Sequence, residues 1–186
     1  MNYIRDDEFI RGNCPMTKEE VRILSVAKLH LKEDSSALDI GAGTGSVTIE
    51  MSRQCSKGSV LGIEKDIDAL EVLYKNKEKF KADNLTVIEG EALEVINEIN
   101  GCFDSIFIGG SGGNLEKIIV KYSLKLKSKG TMVLNFITID NLYIAMRVLK
   151  EIGFVVSCTQ ASISKTKGES FMLFGNNPIF IVTAEK

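Results

Sequence analysis

Five apolar, strand-like runs separated by helix-like segments constrain this chain more than any other feature. The runs are SALDI (36–40), SVLGIE (59–64), LTVIEG (85–90), FDSIFIG (103–109) and TMVLNFI (131–137). Helical spacing of apolar residues predicts helices over 45–55, 66–81, 91–99, 114–127 and 139–152. Strand then helix, repeated, requires a mostly parallel α/β sheet with helices on both faces, because parallel neighbours need a crossover to return the chain.

The tail breaks the alternation. GFVVSCTQASISK (153–165) and ESFMLFGNNPIFIVTAEK (169–186) read as two long strands with no helix between them. They are expected to form an antiparallel pair at one end of what becomes a seven-stranded sheet. Pro178 suits the beginning of the last strand or a bulge in it, since a central strand position would lose a ladder hydrogen bond. Ahead of the first strand, TKEEVRILSVAKLHL (17–31) has helical spacing, with Thr17 as its N-cap and Glu20 as the capping-box partner. At 186 residues, 44% of them hydrophobic and 26% charged, the chain has the material for a single domain over 1–186.

Several classes fall away on composition. A membrane-spanning helix needs about 18 uninterrupted apolar residues, and no segment approaches that. The start MNYIRDDEF is polar and acidic, unlike a secretory signal, so the cytoplasm is the expected compartment and no membrane partner is expected. Cys14, Cys55, Cys102 and Cys158 are widely spread, without a CxxC pair and with one His in the chain. That pattern argues against zinc or a disulfide framework and for reduced, mostly buried thiols. A formal charge of −2 without a long Lys/Arg run gives no footprint for a nucleic-acid duplex.

The first strand runs into LDIGAGTGS (38–46), whose Gly41, Gly43 and Gly45 let the backbone turn tightly and approach a ligand. This first strand-to-helix turn is where open α/β sheets bind ligands. A dinucleotide fingerprint would place a small residue at position 46 after a GxG pair, but the third glycine comes one residue early. Asp39 also stands near the mouth of the loop, where it would repel a pyrophosphate. A cationic cofactor suits the place better, and S-adenosylmethionine carries an ammonium and a sulfonium with no phosphate. Glu64 ends the second strand, positioned to accept from a ribose diol. Gly90-Glu91-Ala92 ends the third, where a side chain and the backbone can bracket an adenine.

On these motifs the chain resembles the class I, Rossmann-like S-adenosylmethionine-dependent methyltransferases. Through DDEFIRGNCPMTKEEVR (6–22), LDIGAGTGSVTIE (38–50), FIGGSGGNLEKII (107–119) and NPIFI (177–181) it is similar, more narrowly, to the decarboxylating cobalt-precorrin-6B C15-methyltransferase family. The resemblance implies cofactor contacts from Thr17, Gly41, Ala42, Gly43, Thr44, Gly45, Glu64 and Ala92, with residues 1–31 as an N-terminal loop and helix capping the cofactor site. Glu91 departs from the GDA expected there by one methylene. The family's acceptor is a meso carbon, C15, of a polycarboxylate tetrapyrrole, and the same protein decarboxylates the C12 acetate side chain in cobalamin biosynthesis. The resemblance also implies a homotetramer.

Such an electron-rich ring attacks a sulfonium methyl directly and serves as the electron sink for decarboxylation, so no catalytic triad and no metal ligand are expected. Gly109, Gly110, Gly112 and Gly113, with Ser111 between them as a further substrate candidate, remove bulk where a large flat substrate would lie beside the cofactor. Their N–H groups, with the helix start at Asn114, suit a substrate carboxylate. Arg11 is a candidate for the other carboxylates, as are Lys18, Arg22, Lys165 and Lys167. Asn135 ends the fifth strand and fits either the cleft or a structural place. His30 lies away from every strand end assigned to the site. A tRNA adenine methyltransferase and a non-catalytic nucleotide-binding module remain the competing readings.

Overall fold

The computed structural model describes residues 3–186, with the side chain of Lys167 outside that description. The parallel part comprises β1 (Ser36–Ile40), β2 (Ser59–Glu64), β3 (Leu85–Glu89), β4 (Phe103–Ile108) and β5 (Leu126–Phe136). The helices are α1 (Glu19–Lys28), α2 (Ser46–Gln54), α3 (Ile67–Lys79), α4 (Ala92–Val95), α5 (Leu115–Ser123) and α6 (Ile139–Glu151). After α6 come β6 (Val155–Ala161), β7 (Ser164–Lys167), β8 (Met172–Gly175) and β9 (Ile179–Glu185).

The seven-stranded sheet has the order β3-β2-β1-β4-β5-β9-β6, with β9 antiparallel to both neighbours. The chain winds outward from β1 through β2 to β3, then crosses back to β4 beside β1. The carboxyl ends of β1 and β4 therefore flank the reversal of strand order, and a crevice opens there.

Strand alternation sorts the core into two layers. Leu38, Ile40, Ile106, Ile108, Met132 and Leu134 point to the face covered by α4, α5 and α6. Ala37, Phe107, Val133 and Ile181 point to the face covered by α1 and α2. Asp39 shares the parity of Ala37, which carries its carboxylate toward α2.

Four sequence expectations are corrected. Thr17 does not cap α1: the N-cap is Lys18, without a side-chain cap, and Glu20 instead pairs with Lys165 at 2.6 Å. The helix expected over 91–99 is one turn, α4, followed by a 3-10 turn at Ile96–Glu98. The helix expected to reach residue 127 stops at Ser123, because Phe103 N–H takes the Lys125 carbonyl at 2.8 Å and Leu126 already pairs with β4. The two tail runs each divide, so that β7 and β8 form a separate hairpin between β6 and β9. Pro178 directly precedes β9.

The cysteines also differ from expectation. All four are free, but only Cys55 is buried, its thiol pushed up to about 11 by burial. Cys102 and Cys158 are exposed and Cys14 is half-buried.

Candidate functional site

Gly41 (φ 75°), Gly43 (φ 55°) and Gly45 (φ 79°) all adopt the left-handed conformation that disfavours a side chain. The N–H groups of Gly41 and Ala42 both donate to the Ile63 carbonyl, at 2.9 and 3.0 Å, which ties the turn to β2. A Cβ on Gly41 would stand 2.7 Å from the Gly110 nitrogen, so the loops after β1 and β4 meet backbone to backbone. Fully buried Asn76 of α3 braces the turn from beneath: its Nδ2 donates to the Thr44 carbonyl and its Oδ1 accepts from Ile10 N–H.

Above the turn lies a cleft of about 380 Å³. Two buried side-chain oxygens that border it have no partner among the described residues, Asp39 Oδ1 and Thr44 Oγ1. Asp39 Oδ2 accepts from the Thr48 hydroxyl of α2. Burial is the main reason its carboxyl is pushed up to about 7; the Thr48 bond opposes the shift and the nearby Glu64 charge adds to it. An unpaired buried acceptor is costly, and a donor-rich cation in the cleft would satisfy it. A phosphate there would be repelled by the Asp39 carboxylate when that group is ionised.

Glu64 ends β2 with its carboxylate accepting from the N–H groups of Gly43 (2.7 Å), Lys65 (2.8 Å) and Asp66 (2.9 Å). A carboxylate has about four acceptor sites, so one remains for a ligand hydroxyl. Beside it a smaller lobe of about 140 Å³ is bordered by Glu64, Gly90, Glu91 and Ala92. The Ala92 carbonyl accepts from the buried Tyr122 hydroxyl at 2.6 Å, which fixes the start of α4. Glu91 pairs with Lys65 at 2.8 Å.

The structure brings most of the sequence-derived site together. Thr17, Gly41, Ala42, Gly43, Thr44, Gly109, Gly110 and Ser111 border the larger cleft; Gly110, Ser111 and Gly112 border the smaller lobe with Glu64 and Ala92. Gly45 sits one step back as the N-cap of α2, and Gly113 borders neither space. Asn135 faces the cleft while its Nδ2 donates to Ser25 of α1 at 2.8 Å.

The basic candidates stand elsewhere. Arg11 is exposed and directed at Asp6, donating to its carbonyl at 3.2 Å. Arg22, read from sequence as a substrate candidate, is fully buried and structural. Its guanidinium donates to Asp6, to the Thr17 carbonyl at 2.7 Å and to the Ile4 carbonyl at 2.6 Å, and lies 4.7 Å over the Phe9 ring. Lys18 is exposed and Lys165 is paired with Glu20, while the Lys167 side chain lies outside the described residues. His30 pairs weakly with Glu185, away from the cleft. Sequence reasoning missed Ile137, Asn141 and Ile179 on the far wall and Lys65 at the small lobe. Ile137 and Lys65 directly follow strand ends, which was the available signal, whereas Asn141 lies in the first turn of α6 and Ile179 opens β9.

A glycine turn at the reversal of strand order, an acid ending β2 and unpartnered oxygens bordering the cleft sit on a Rossmann-like methyltransferase fold. The model of the precorrin methyltransferase domain matches residues 8–186. The chain belongs to that family. A probable cobalt-precorrin-6B C(15)-methyltransferase (decarboxylating) from Sulfurisphaera tokodaii is 41% identical over 98% of this chain and 97% of that protein. The cobalt-precorrin-6B C(15)-methyltransferase (decarboxylating) of Salmonella typhimurium is 38% identical over 98% and 96%. The crystal structure of precorrin-6y C5,15-methyltransferase from Geobacter metallireducens superposes with a TM-score of 0.94 at 40% identity, covering 98% of this chain and 96% of that one.

Proposed function

We propose that this chain transfers a methyl group from S-adenosylmethionine to C15 of cobalt-precorrin-6B and releases carbon dioxide from the C12 acetate side chain. Near full-length similarity to relatives named for that reaction supports the substrate, and supports neither a tRNA methyltransferase nor a non-catalytic nucleotide-binding module. The observation that carries the cofactor is the pair of partnerless buried acceptors, Asp39 Oδ1 and Thr44 Oγ1, beside the glycine turn.

When bound, S-adenosylmethionine supplies an electrophilic methyl on its sulfonium. Asp39 and Thr44 would accept from its ammonium, the free acceptor site of Glu64 from its ribose, and Gly90 to Ala92 would border its base. Thr17 and Met16, held over the cleft by the Arg22 contacts of the N-terminal segment, would exclude water. The loop over Gly109–Gly113, in which Ser111 carries the one side chain, leaves room for a flat macrocycle, and the N–H groups of Ser111, Gly112 and Gly113 would suit a substrate carboxylate. The ring's electrons would form the bond to the methyl as the sulfonium C–S bond breaks, and in decarboxylation the ring would take up the electron pair of the breaking C–C bond, so the chain's contribution is alignment at about 3 Å in a dry site.

The assembly belongs to the same proposal. Phe171, Met172 and Leu173 of the β7–β8 hairpin are 74%, 59% and 68% exposed, an apolar arm of the kind that packs against other copies. We read it as the contact of a homotetramer.

Calorimetry with S-adenosylmethionine against NAD tests the cofactor. The expected result is saturable binding of the first at micromolar concentration and none of the second; preference for NAD would reject the reading.

A further inference from the structure

The buried face of α3 is apolar except at one place. Its inward positions are Ala69, Leu70, Val72, Leu73 and Asn76, and Asn76 is fully buried. Taking an amide out of water is costly unless its groups are paired, and here each of them is. Oδ1 accepts from Ile10 N–H at 2.8 Å, while Nδ2 donates to the Ile10 carbonyl and to the Thr44 carbonyl, both at 3.0 Å.

The two ends of this bridge approach the cleft from different elements. Thr44 belongs to the glycine turn, and its Oγ1 is one of the two unpartnered oxygens there. Ile10 belongs to the N-terminal segment, whose Pro15, Met16 and Thr17 border the same cleft. The end of α3 holds that segment by two further contacts: Lys79 Nζ donates to the Glu8 carbonyl, and the Phe80 and Phe9 rings lie 5.0 Å apart. Of these three contacts, only the Asn76 amide also bonds to the glycine turn. Asn76 itself borders neither cavity. An asparagine amide offers two N–H donors and an acceptor in one short plane, whereas an ionised aspartate offers acceptors alone and would face the Ile10 and Thr44 carbonyls.

We propose that Asn76 is a positioning residue that ties the covering segment to the glycine turn, so that docking of the segment and seating of the cofactor are one linked event. The proposal rests on the S-adenosylmethionine reading above. It gives the buried amide a purpose in binding although it touches no ligand.

The test perturbs one end of the bridge and reads the other, on the intact chain. The N–H groups of Gly41, Ala42, Gly43 and Gly45 are all hydrogen-bonded, so their hydrogen exchange reports opening of the turn. Ile10→Pro removes the N–H that Asn76 accepts, in a segment without regular structure. Without ligand it is expected to accelerate exchange at residues 41–45 at least threefold, with residues 103–108 of β4 within twofold of the unmodified chain. Asn76→Asp at pH 8 is expected to do the same and to weaken S-adenosylmethionine binding at least tenfold by calorimetry. Ile10→Pro should then add less than twofold on Asn76→Asp. Unchanged exchange at 41–45 in Ile10→Pro overturns the proposal, since segment and turn then open independently. Equal acceleration in β4 overturns it too, being a loss of fold stability rather than a link, as do additive effects or an Asn76→Asp affinity within twofold of the parent. If Asn76→Asp does not fold, Ile10→Pro decides alone. If the unmodified chain binds no S-adenosylmethionine, the cofactor reading fails, and the ligand-free exchange still decides whether Asn76 joins the two elements.

Discussion

At the residue scale, Asp39 is the group whose chemistry most distinguishes this site. Its carboxyl is held near 7 mainly by burial, and a cation placed against Oδ1 favours the ionised form. Binding then releases a proton below pH 7, and affinity for S-adenosylmethionine should fall as pH drops, by up to about tenfold per unit. Calorimetry from pH 5.5 to 8 in buffers of different ionisation enthalpy checks this, and Asp39→Asn should bind more weakly at pH 8 with a flat profile. Stability carries the complementary sign. A carboxyl whose folded value is raised favours folding below its ordinary value of 3.8 and loses that contribution as pH rises through about 7. Asp39→Asn should therefore narrow the stability loss between pH 5 and 8, read by thermal melts. Gly41→Ala is expected to abolish cofactor binding, because a Cβ there would meet the Gly110 backbone at 2.7 Å in a left-handed position.

The elements show which parts of the fold were legible from sequence and which were not. Asp39 and Glu64 could be placed because strand parity and strand ends are local properties, visible in runs such as SALDI and SVLGIE. Arg22 could not. Helical periodicity assigns a charged residue to a solvated face, and the partners that bury it, Ile4, Asp6 and Phe9, come from a segment without regular structure. Thr17 looked like a cap for the same reason, though its carbonyl belongs to Arg22. The lysines at 127 and 129 concealed the early start of β5, and the breaks at 162–163 and 176–178 that divide the tail fell inside runs that each read as one strand. Arg22→Met tests the element-scale claim that the N-terminal segment is pinned as a unit. It takes the buried cation from Asp6 and Glu50, leaving them only the more exposed Arg11 and Arg53, and should cost about 3–5 kcal/mol in denaturant unfolding, with proteolysis appearing first between residues 3 and 18.

On the scale of the whole molecule, the proposed function puts catalysis and assembly on two surfaces: the crevice where strand order reverses and the exposed β7–β8 hairpin. Leu173→Glu, together with Met172→Glu, should reduce a tetrameric mass to smaller species in light scattering, while affinity for S-adenosylmethionine stays within threefold. A monomeric mass for the unmodified chain would remove the tetramer from the account. The direct test of the central claim is the mass of the product formed from cobalt-precorrin-6B and S-adenosylmethionine. The account predicts a product that has gained one methyl and lost one carbon dioxide. Unchanged substrate, with the cofactor bound, would contradict it.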